Sequence, residues 1–87
     1  MNLLNEMAWA YVLKGKRYYI GSTLDLVERI KQHERGHTYT TKRIGKWELI
    51  WQKEFSNLKE ARAAERKIKK WKSTKMIEFL IENKINL

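Results

Sequence analysis

The sequence predicts an α+β domain, in which helices flank a small three-stranded antiparallel sheet in the order β-β-α-β-α-α. Three observations predict this class. Two short runs rich in aromatic and β-branched residues lie close together near the start, an alternating aromatic run covers residues 47–55, and three segments carry apolar residues at helical spacing. The chain has 87 residues and no proline. We therefore expect one domain over residues 1–87, with its core at about 8–82.

The first two strands form a predicted hairpin, in which residues 9–13 and 18–21 are joined by Lys14–Arg17. Tyr11 and Tyr19 share a face of the sheet if the hairpin loop has an odd number of residues, and they lie on opposite faces if that number is even. Most strand tyrosines are packing residues. Two phenols on one face are able to orient a water or a phosphate oxygen. With its ordinary pKa of about 10, however, a phenol needs nearby positive charge to act as a base.

The next segment predicts a first helix over about 24–35, with Ser22 or Thr23 as its N-cap. Its apolar stripe consists of Leu26, Val27 and Ile30. Arg29 and His33 are four residues apart and share a face along one flank of that stripe. A guanidinium beside an imidazole suits phosphate binding, although a structural histidine next to a solvated arginine is the more common arrangement.

The second half of the chain predicts a loop, a strand and two helices. Residues 36–46 show no period, and the strand that follows runs through Phe55 with Trp47, Leu49 and Trp51 alternating along it. Ser56 or Asn57 is the predicted N-cap of the second helix, and Ser73 that of the third. The apolar residues of the second helix are Leu58, Ala61, Ala64, Ile68 and Trp71. Those of the third helix are Met76, Ile77, Leu80 and Ile81.

Glu65 lies at one edge of the apolar face of the second helix, where a carboxylate requires an explanation. An ion pair with Arg62 or Lys69, its neighbours on the helix, is one explanation. A metal site is the other, because one carboxylate with waters and substrate phosphate oxygens is a common way to bind Mg²⁺. Both remain open from the residues alone.

The net charge of +9 favours a polyanionic partner, because 19 Lys and Arg stand against 10 Asp and Glu. Residues 36–75 hold twelve of the basic residues and four of the acidic ones. The basic residues beside Glu65 are Lys59, Arg62, Arg66, Lys69 and Lys70, and Lys42, Arg43 and Lys46 extend this surface from the loop, where Tyr39 is placed to stack on an unpaired base. This surface predicts binding to a nucleic-acid backbone without reading its sequence.

Composition excludes several other classes. A chain with 43% hydrophobic residues and four Trp is too apolar for a disordered basic tail, and without Cys it has no disulfides and no thiolate metal site. Its longest apolar run is far shorter than a membrane-spanning helix, and its first residues do not form a signal peptide. We expect a cytoplasmic monomer that does not contact a membrane.

Four sequence elements in order resemble the motifs of the GIY-YIG nuclease superfamily. They are Trp9-Ala10-Tyr11, Tyr19-Ile20-Gly21, Arg29 followed by His33, and Glu65 within the basic run 60–71. The resemblance covers about residues 8–82 and is greatest to compact, stand-alone bacterial members. It implies an endonuclease that cuts double-stranded or branched DNA with Mg²⁺ or Mn²⁺, in DNA repair or processing.

The resemblance also implies roles for individual residues. Tyr11 and Tyr19 would line the active site, with Tyr11 helping to activate the attacking water. Arg29 would stabilise charge on the scissile phosphate, His33 would assist proton transfer or phosphate positioning, and Glu65 would bind the metal. These roles require the odd hairpin loop.

The chain departs from the family pattern in places. The first motif retains only its tyrosine, and the asparagine that some members carry after the metal ligand has no clear counterpart, with Asn83 as the candidate. The alternative function is a non-catalytic nucleic-acid-binding module that retains the nuclease fold, and a small interaction protein is a third reading. The five side chains at the family's positions favour the enzyme, because a binding module has no need of Glu65.

Overall fold

The computed structural model of the chain describes residues 7–36 and 44–87. In chain order, the elements of these ranges are β1 (Ala8–Lys14), β2 (Tyr18–Thr23), α1 (Leu26–Glu34), β3 (Glu48–Phe55), α2 (Leu58–Trp71) and α3 (Thr74–Ile81). The strands form one antiparallel sheet in the order β2-β1-β3. The predicted α+β class and element order are confirmed. Over the described ranges, every helix is too short or too polar to cross a membrane.

The hairpin between β1 and β2 has the odd loop that the resemblance requires. Lys14 pairs with Tyr18, so it belongs to β1 rather than to the predicted loop, and only residues 15–17 connect the strands. Leu13 pairs with Tyr19, and side chains of paired residues point to the same face. Tyr11 is two residues before Leu13, and it therefore shares that face with Tyr19.

The central strand β1 is buried on both faces, and each face has its own cluster of apolar side chains. On one face, Val12 packs with Ile68 of α2 and with Ile77 and Leu80 of α3. On the other face, Tyr11 and Leu13 pack with Ile44, and with Leu26 and Ile30 of α1. Burying one such side chain contributes about 1.5–3 kcal/mol to folding. Helix α1 thus covers one face of the sheet, and α2 and α3 cover the other.

Strand β3 does not keep the simple alternation that the sequence predicts. Val12 pairs with Trp51 and Leu13 pairs with Leu49, which leaves Ile50 as an extra residue in a β-bulge. Trp47 consequently packs in the cluster of Tyr11, whereas Trp51 packs in the cluster of Val12 on the opposite face. The strand is as predicted, but the alternation of Trp47, Leu49 and Trp51 with Glu48, Ile50 and Gln52 is interrupted by this bulge.

Side chains cap all three helices of the described residues, and two of these caps are as predicted. Asn57 Oδ1 accepts a hydrogen bond from the N–H of Glu60 at 2.9 Å, and Ser73 Oγ accepts one from the N–H of Met76 at 3.2 Å. The predicted cap of α1 was wrong. Asp25 caps that helix, because β2 continues through residues 22 and 23, which stay paired with β1.

Candidate active site

Tyr11 is fully buried in the central strand, and its ring passes over Gly21 of the neighbouring strand. A Cβ atom at position 21 would lie 2.6 Å from both Cζ and Oη of Tyr11, so only glycine leaves room for this approach. The phenol thereby reaches the β2 edge of the sheet. There Tyr11 Oη forms a hydrogen bond of 2.9 Å with Nε2 of His33.

His33 lies at the centre of an aromatic cluster on this face. Its ring centroid is 5.8 Å from that of Tyr11, 5.3 Å from that of Tyr19 and 5.9 Å from that of Trp47, each in an edge-on arrangement. The centroids of Tyr11 and Tyr19 are 6.1 Å apart. Tyr19 is the half-buried phenol and Tyr11 the enclosed one. Strands β1 and β2 and helix α1 thus bring together three of the predicted site residues.

The position of His33 on α1 corrects the predicted apolar stripe. His33 is 2% exposed and continues the buried side of Leu26 and Ile30, whereas Val27 is 67% exposed. Val27 was therefore assigned wrongly to that stripe, and His33 lies within it rather than along its flank. The buried spacing is four and then three residues, which follows one side of a helix.

Burial and charge favour the neutral forms of Tyr11 and His33. Burial, and then the positive charge of Arg29, lowers the pKa of His33 below its ordinary value, so the imidazole is neutral at pH 7. The pKa of Tyr11 is raised, first by burial and next by Tyr19, with a smaller contribution from Glu65, while Arg29 acts in the opposite direction. The phenol therefore keeps its proton, and an unprotonated nitrogen of neutral His33 is able to accept it.

Arg29 lines a cleft of about 300 Å³, and its positive charge acts on both Tyr11 and His33. Arg62 of α2 contributes a second guanidinium to the same cleft. The other lining residues are Ser22, Thr23, Leu24, Asp25, Glu28, Gln32 and Leu58. The two arginines come from different helices and suit a phosphate group, although Asp25 and Glu28 on the same cleft offset part of their positive charge.

Glu65 contacts two groups, one through each carboxylate oxygen. Lys69 Nζ lies 2.6 Å from Oε2, and this is one of the two ion pairs that the sequence suggests. Ser22 Oγ donates a hydrogen bond of 2.5 Å to Oε1. Ser22 is not among the predicted site residues, because its position before the first helix predicts an N-cap. Alternation along β2 from Tyr19 would have placed Ser22 on the sheet face that α2 covers.

The residues around Glu65 fit a divalent cation of the Mg²⁺ type. Within residues 7–36 and 44–87, no group of three or more His, Asp or Glu side chains is placed to hold a metal ion. Glu65 instead offers one half-buried carboxylate of hard oxygen donors beside a basic surface. Mg²⁺ commonly binds through one or two carboxylates and completes its shell with waters and substrate phosphates. Glu65 would hold such an ion.

The predicted DNA-binding residues of α2 are all exposed. Arg66, Lys69 and Lys70, with Ala63 and Lys67, line an open depression of about 570 Å³. Lys59 is exposed in the first turn of the helix. The predicted loop contacts of Lys42 and Arg43, together with Tyr39, lie outside the described residues. Asn83 follows α3 with φ of 61°, a left-handed conformation that asparagine tolerates at a helix end.

Comparisons with known proteins identify the family of the chain. A UPF0213 protein of Streptococcus pneumoniae is 36% identical over 84 residues, which cover 92% of this chain and 84% of that protein. A UPF0213 protein of Oceanobacillus iheyensis is 34% identical over 83 residues, which cover 87% of this chain and 95% of that protein. No solved structure matches the chain. The model of the GIY-YIG catalytic domain matches residues 7–78, and the chain therefore belongs to the GIY-YIG nuclease family.

Proposed function

We propose that this protein is a divalent-metal-dependent endonuclease that hydrolyses phosphodiester bonds in DNA. The observation that carries the proposal is the buried hydrogen bond of 2.9 Å between Tyr11 and His33, with the charge of Arg29 from α1 acting on both groups. A module that only binds DNA would use a buried phenol–imidazole pair for packing alone. A hydrolase can also use such a pair to take a proton from water.

The geometry supports a proton relay rather than a standing phenolate base. Because the pKa of Tyr11 is raised, the phenol enters the reaction protonated. As the attacking water gives a proton to Tyr11 Oη, the phenolic proton passes to Nε2 of His33. The water oxygen thus loses one proton, the Tyr11 oxygen gains one and loses one, and His33 ends with the additional proton. Neutral His33 is the acceptor, and its lowered pKa keeps it available at neutral pH.

Arg29 and Glu65 act on the phosphate. The Arg29 guanidinium stabilises the negative charge that develops on the scissile phosphate. Glu65 would hold the divalent cation, which supplies Lewis-acid stabilisation of that charge when bound. Tyr19, half-buried beside Tyr11, orients the water or a phosphate oxygen through its hydroxyl.

The substrate we propose is double-stranded or branched DNA. The exposed cations of α2 contact a phosphate backbone and do not read bases. Selection by such a surface depends on the shape of the DNA, which suits an enzyme that acts on branched or damaged DNA in repair or processing.

The test is cleavage of supercoiled plasmid and of flap or branched DNA with Mg²⁺, Mn²⁺ or EDTA. We expect metal-dependent nicking that falls by about 100-fold or more in Glu65→Gln. Glu78→Gln, which removes an exposed carboxylate from α3, is the matched control and should cleave as the wild type does. Activity in EDTA, or unchanged activity in Glu65→Gln, would contradict the proposal. Salt-dependent binding with no cleavage of any substrate would favour a non-catalytic module.

A further inference from the structure

The two contacts of the Glu65 carboxylate differ in strength and mobility. Ser22 belongs to β2, where it is paired with Ala10, and its hydroxyl is a neutral donor to Oε1. Lys69 contacts Oε2 with a unit positive charge at the end of a long side chain that is 54% exposed. The Glu65 side chain itself is only 20% exposed. One oxygen is thus held by the sheet and the other by a surface cation.

These differences determine which contact gives way to another cation. Exposed lysine–carboxylate pairs are weak, because both groups are well solvated and the lysine loses side-chain freedom. Lys69 also competes electrostatically with any cation at Glu65, whereas the Ser22 hydroxyl does not. Lys69 would therefore leave Oε2 for a divalent cation more readily than Ser22 would leave Oε1.

We propose that Lys69 is a displaceable counter-ion of the metal site, and that Ser22 is the positioning residue that holds Glu65 during the exchange. The Lys69 ammonium would leave Oε2 when a divalent cation binds there, and it would then be free to contact a DNA phosphate. This inference rests on the proposed function, because it assigns the metal to Glu65. Lys69 lines the basic depression with Arg66 and Lys70, so the released ammonium already lies on the surface that would contact DNA.

The exchange makes opposite predictions for the two residues in the absence of DNA. Mg²⁺ is titrated into the full chain, and binding at Glu65 is followed by the amide chemical shifts of residues 22 and 64–66. We expect Lys69→Met to bind Mg²⁺ about two- to fivefold more tightly, because the competing charge is gone. Ser22→Ala should bind it about tenfold more weakly, and Ser22→Thr should restore the affinity.

Lys70→Met is the matched control, because it removes the same charge from the next residue, which lines the depression on the same helix. Lys70→Met shows how much the Mg²⁺ affinity changes when one nearby positive charge is removed without a contact to Glu65. An increase in Mg²⁺ affinity for Lys69→Met that is no larger than the increase for Lys70→Met would overturn the inference. An unchanged affinity in Ser22→Ala would do the same.

A second measurement follows the released ammonium. Binding of a duplex oligonucleotide is measured by fluorescence anisotropy in Ca²⁺ and in EDTA. We expect Lys69→Met to lose more affinity in Ca²⁺ than in EDTA, because in EDTA the lysine remains paired with Glu65. Lys70→Met should lose the same factor in both. An equal loss for Lys69→Met in both conditions would make Lys69 an ordinary helix ion pair and would overturn the exchange.

The two levels of the proposal fail in different ways. If the wild type shows no Mg²⁺-dependent shifts at Glu65 and no metal-dependent cleavage, the proposed function and the exchange both fail. If the wild type binds Mg²⁺ through Glu65 and cleaves DNA, but Lys69→Met behaves as Lys70→Met does, the exchange alone fails.

Discussion

Tyr11 and His33 are both held in their neutral forms, and each is neutral for the same primary reason. Burial raises the pKa of the phenol and lowers the pKa of the imidazole, so the hydrogen-bonded pair carries no net charge at pH 7. Arg29 opposes the shift at Tyr11 and reinforces the shift at His33. A single guanidinium thus moves both groups toward lower pKa values and brings the phenol closer to the range in which it gives up its proton.

The lowered pKa of His33 predicts a pH dependence of stability. Below the ordinary value of about 6.5 the unfolded chain binds a proton at this histidine that the folded chain does not, so acid favours unfolding. We expect the free energy of unfolding to fall from pH 7.5 to pH 5.5, and the fall to be smaller in His33→Gln. Urea unfolding at several pH values measures both slopes. An equal pH slope in wild type and variant would contradict the buried neutral histidine.

We expect the smallest possible substitution of Gly21, to alanine, to displace the Tyr11 ring. In Gly21→Ala the new methyl group meets the Tyr11 ring, which must move away from His33. We expect a loss of about 1–3 kcal/mol in stability, as for an overpacked core, and loss of DNA cleavage even where the protein is folded. Thermal unfolding, the His33 ring signals in NMR spectra and plasmid nicking measure the three effects.

Gly45→Ala is the matched control for that variant. Gly45 has φ of 72°, so an alanine there is strained, but among the residues that the structure describes its new Cβ would meet only Lys16 within 4 Å. We expect a comparable loss of stability with unchanged His33 signals and unchanged cleavage. If Gly45→Ala loses as much stability and also loses cleavage, the displaced Tyr11 is not the cause of the defect. Lower stability would then explain the lost cleavage of Gly21→Ala.

The sequence reveals the paired phenols more readily than it reveals Ser22. The face shared by Tyr11 and Tyr19 depends only on the parity of one loop, which is local information. The contact between Ser22 and Glu65 joins residues 43 positions apart, and it depends on how α2 packs against the sheet. Such packing is a tertiary property, and local patterns of residues do not specify it.

Among the elements, β3 shows how one extra residue changes the meaning of a pattern. Its aromatic alternation predicts a strand correctly, but the bulge at Ile50 distributes Trp47 and Trp51 between two clusters. A bulge adds a residue to one strand only, and the pairing partner that reveals it lies far away in sequence. The strand was therefore predictable, whereas the sheet face on which each tryptophan lies was not.

The N-cap of α2 predicts a measurable contribution to the helix that carries Glu65 and the basic surface. Asn57 accepts the N–H of Glu60, and Glu60 Oε1 accepts the N–H of Ser56. We expect Asn57→Ala to lower the free energy of unfolding by about 1 kcal/mol, and Asn57→Asp to retain it, because aspartate caps equally well. Urea unfolding measures both. A destabilisation in Asn57→Asp equal to that in Asn57→Ala would rule out the cap as the cause.

At the scale of the molecule, the candidate site straddles one edge of the sheet. Tyr11 and His33 lie on the face that α1 covers, whereas Ser22 and Glu65 meet on the face that α2 covers. Strand β2 lies at the end of the order β2-β1-β3 and separates these two halves. A DNA strand bound across this edge would meet the partly exposed Tyr19 and Arg29 on one side and the Glu65 carboxylate on the other.

The position of the basic surface predicts how DNA binding responds to salt. Arg66 and Lys70 are exposed on the α2 side of this edge, and each cation that contacts a phosphate releases counterions on binding. We expect Arg66→Gln and Lys70→Gln each to reduce the slope of log affinity against log salt by about 0.9. Anisotropy titrations at several KCl concentrations measure the slope, and Lys84→Gln, beyond the end of α3, should leave it unchanged. An unaltered slope in both α2 variants would place the DNA elsewhere.

The close approach of Tyr11 to Gly21 constrains how the sequence can evolve at these two positions. The two positions are coupled, because the space that forbids a side chain at 21 is the space that the phenol fills. A relative that replaces Tyr11 with a smaller residue removes the steric constraint on position 21, and other residues can then accumulate there. Tyr11 and Gly21 should therefore occur together in related chains, whereas other residues at position 21 should occur mainly where the tyrosine is replaced.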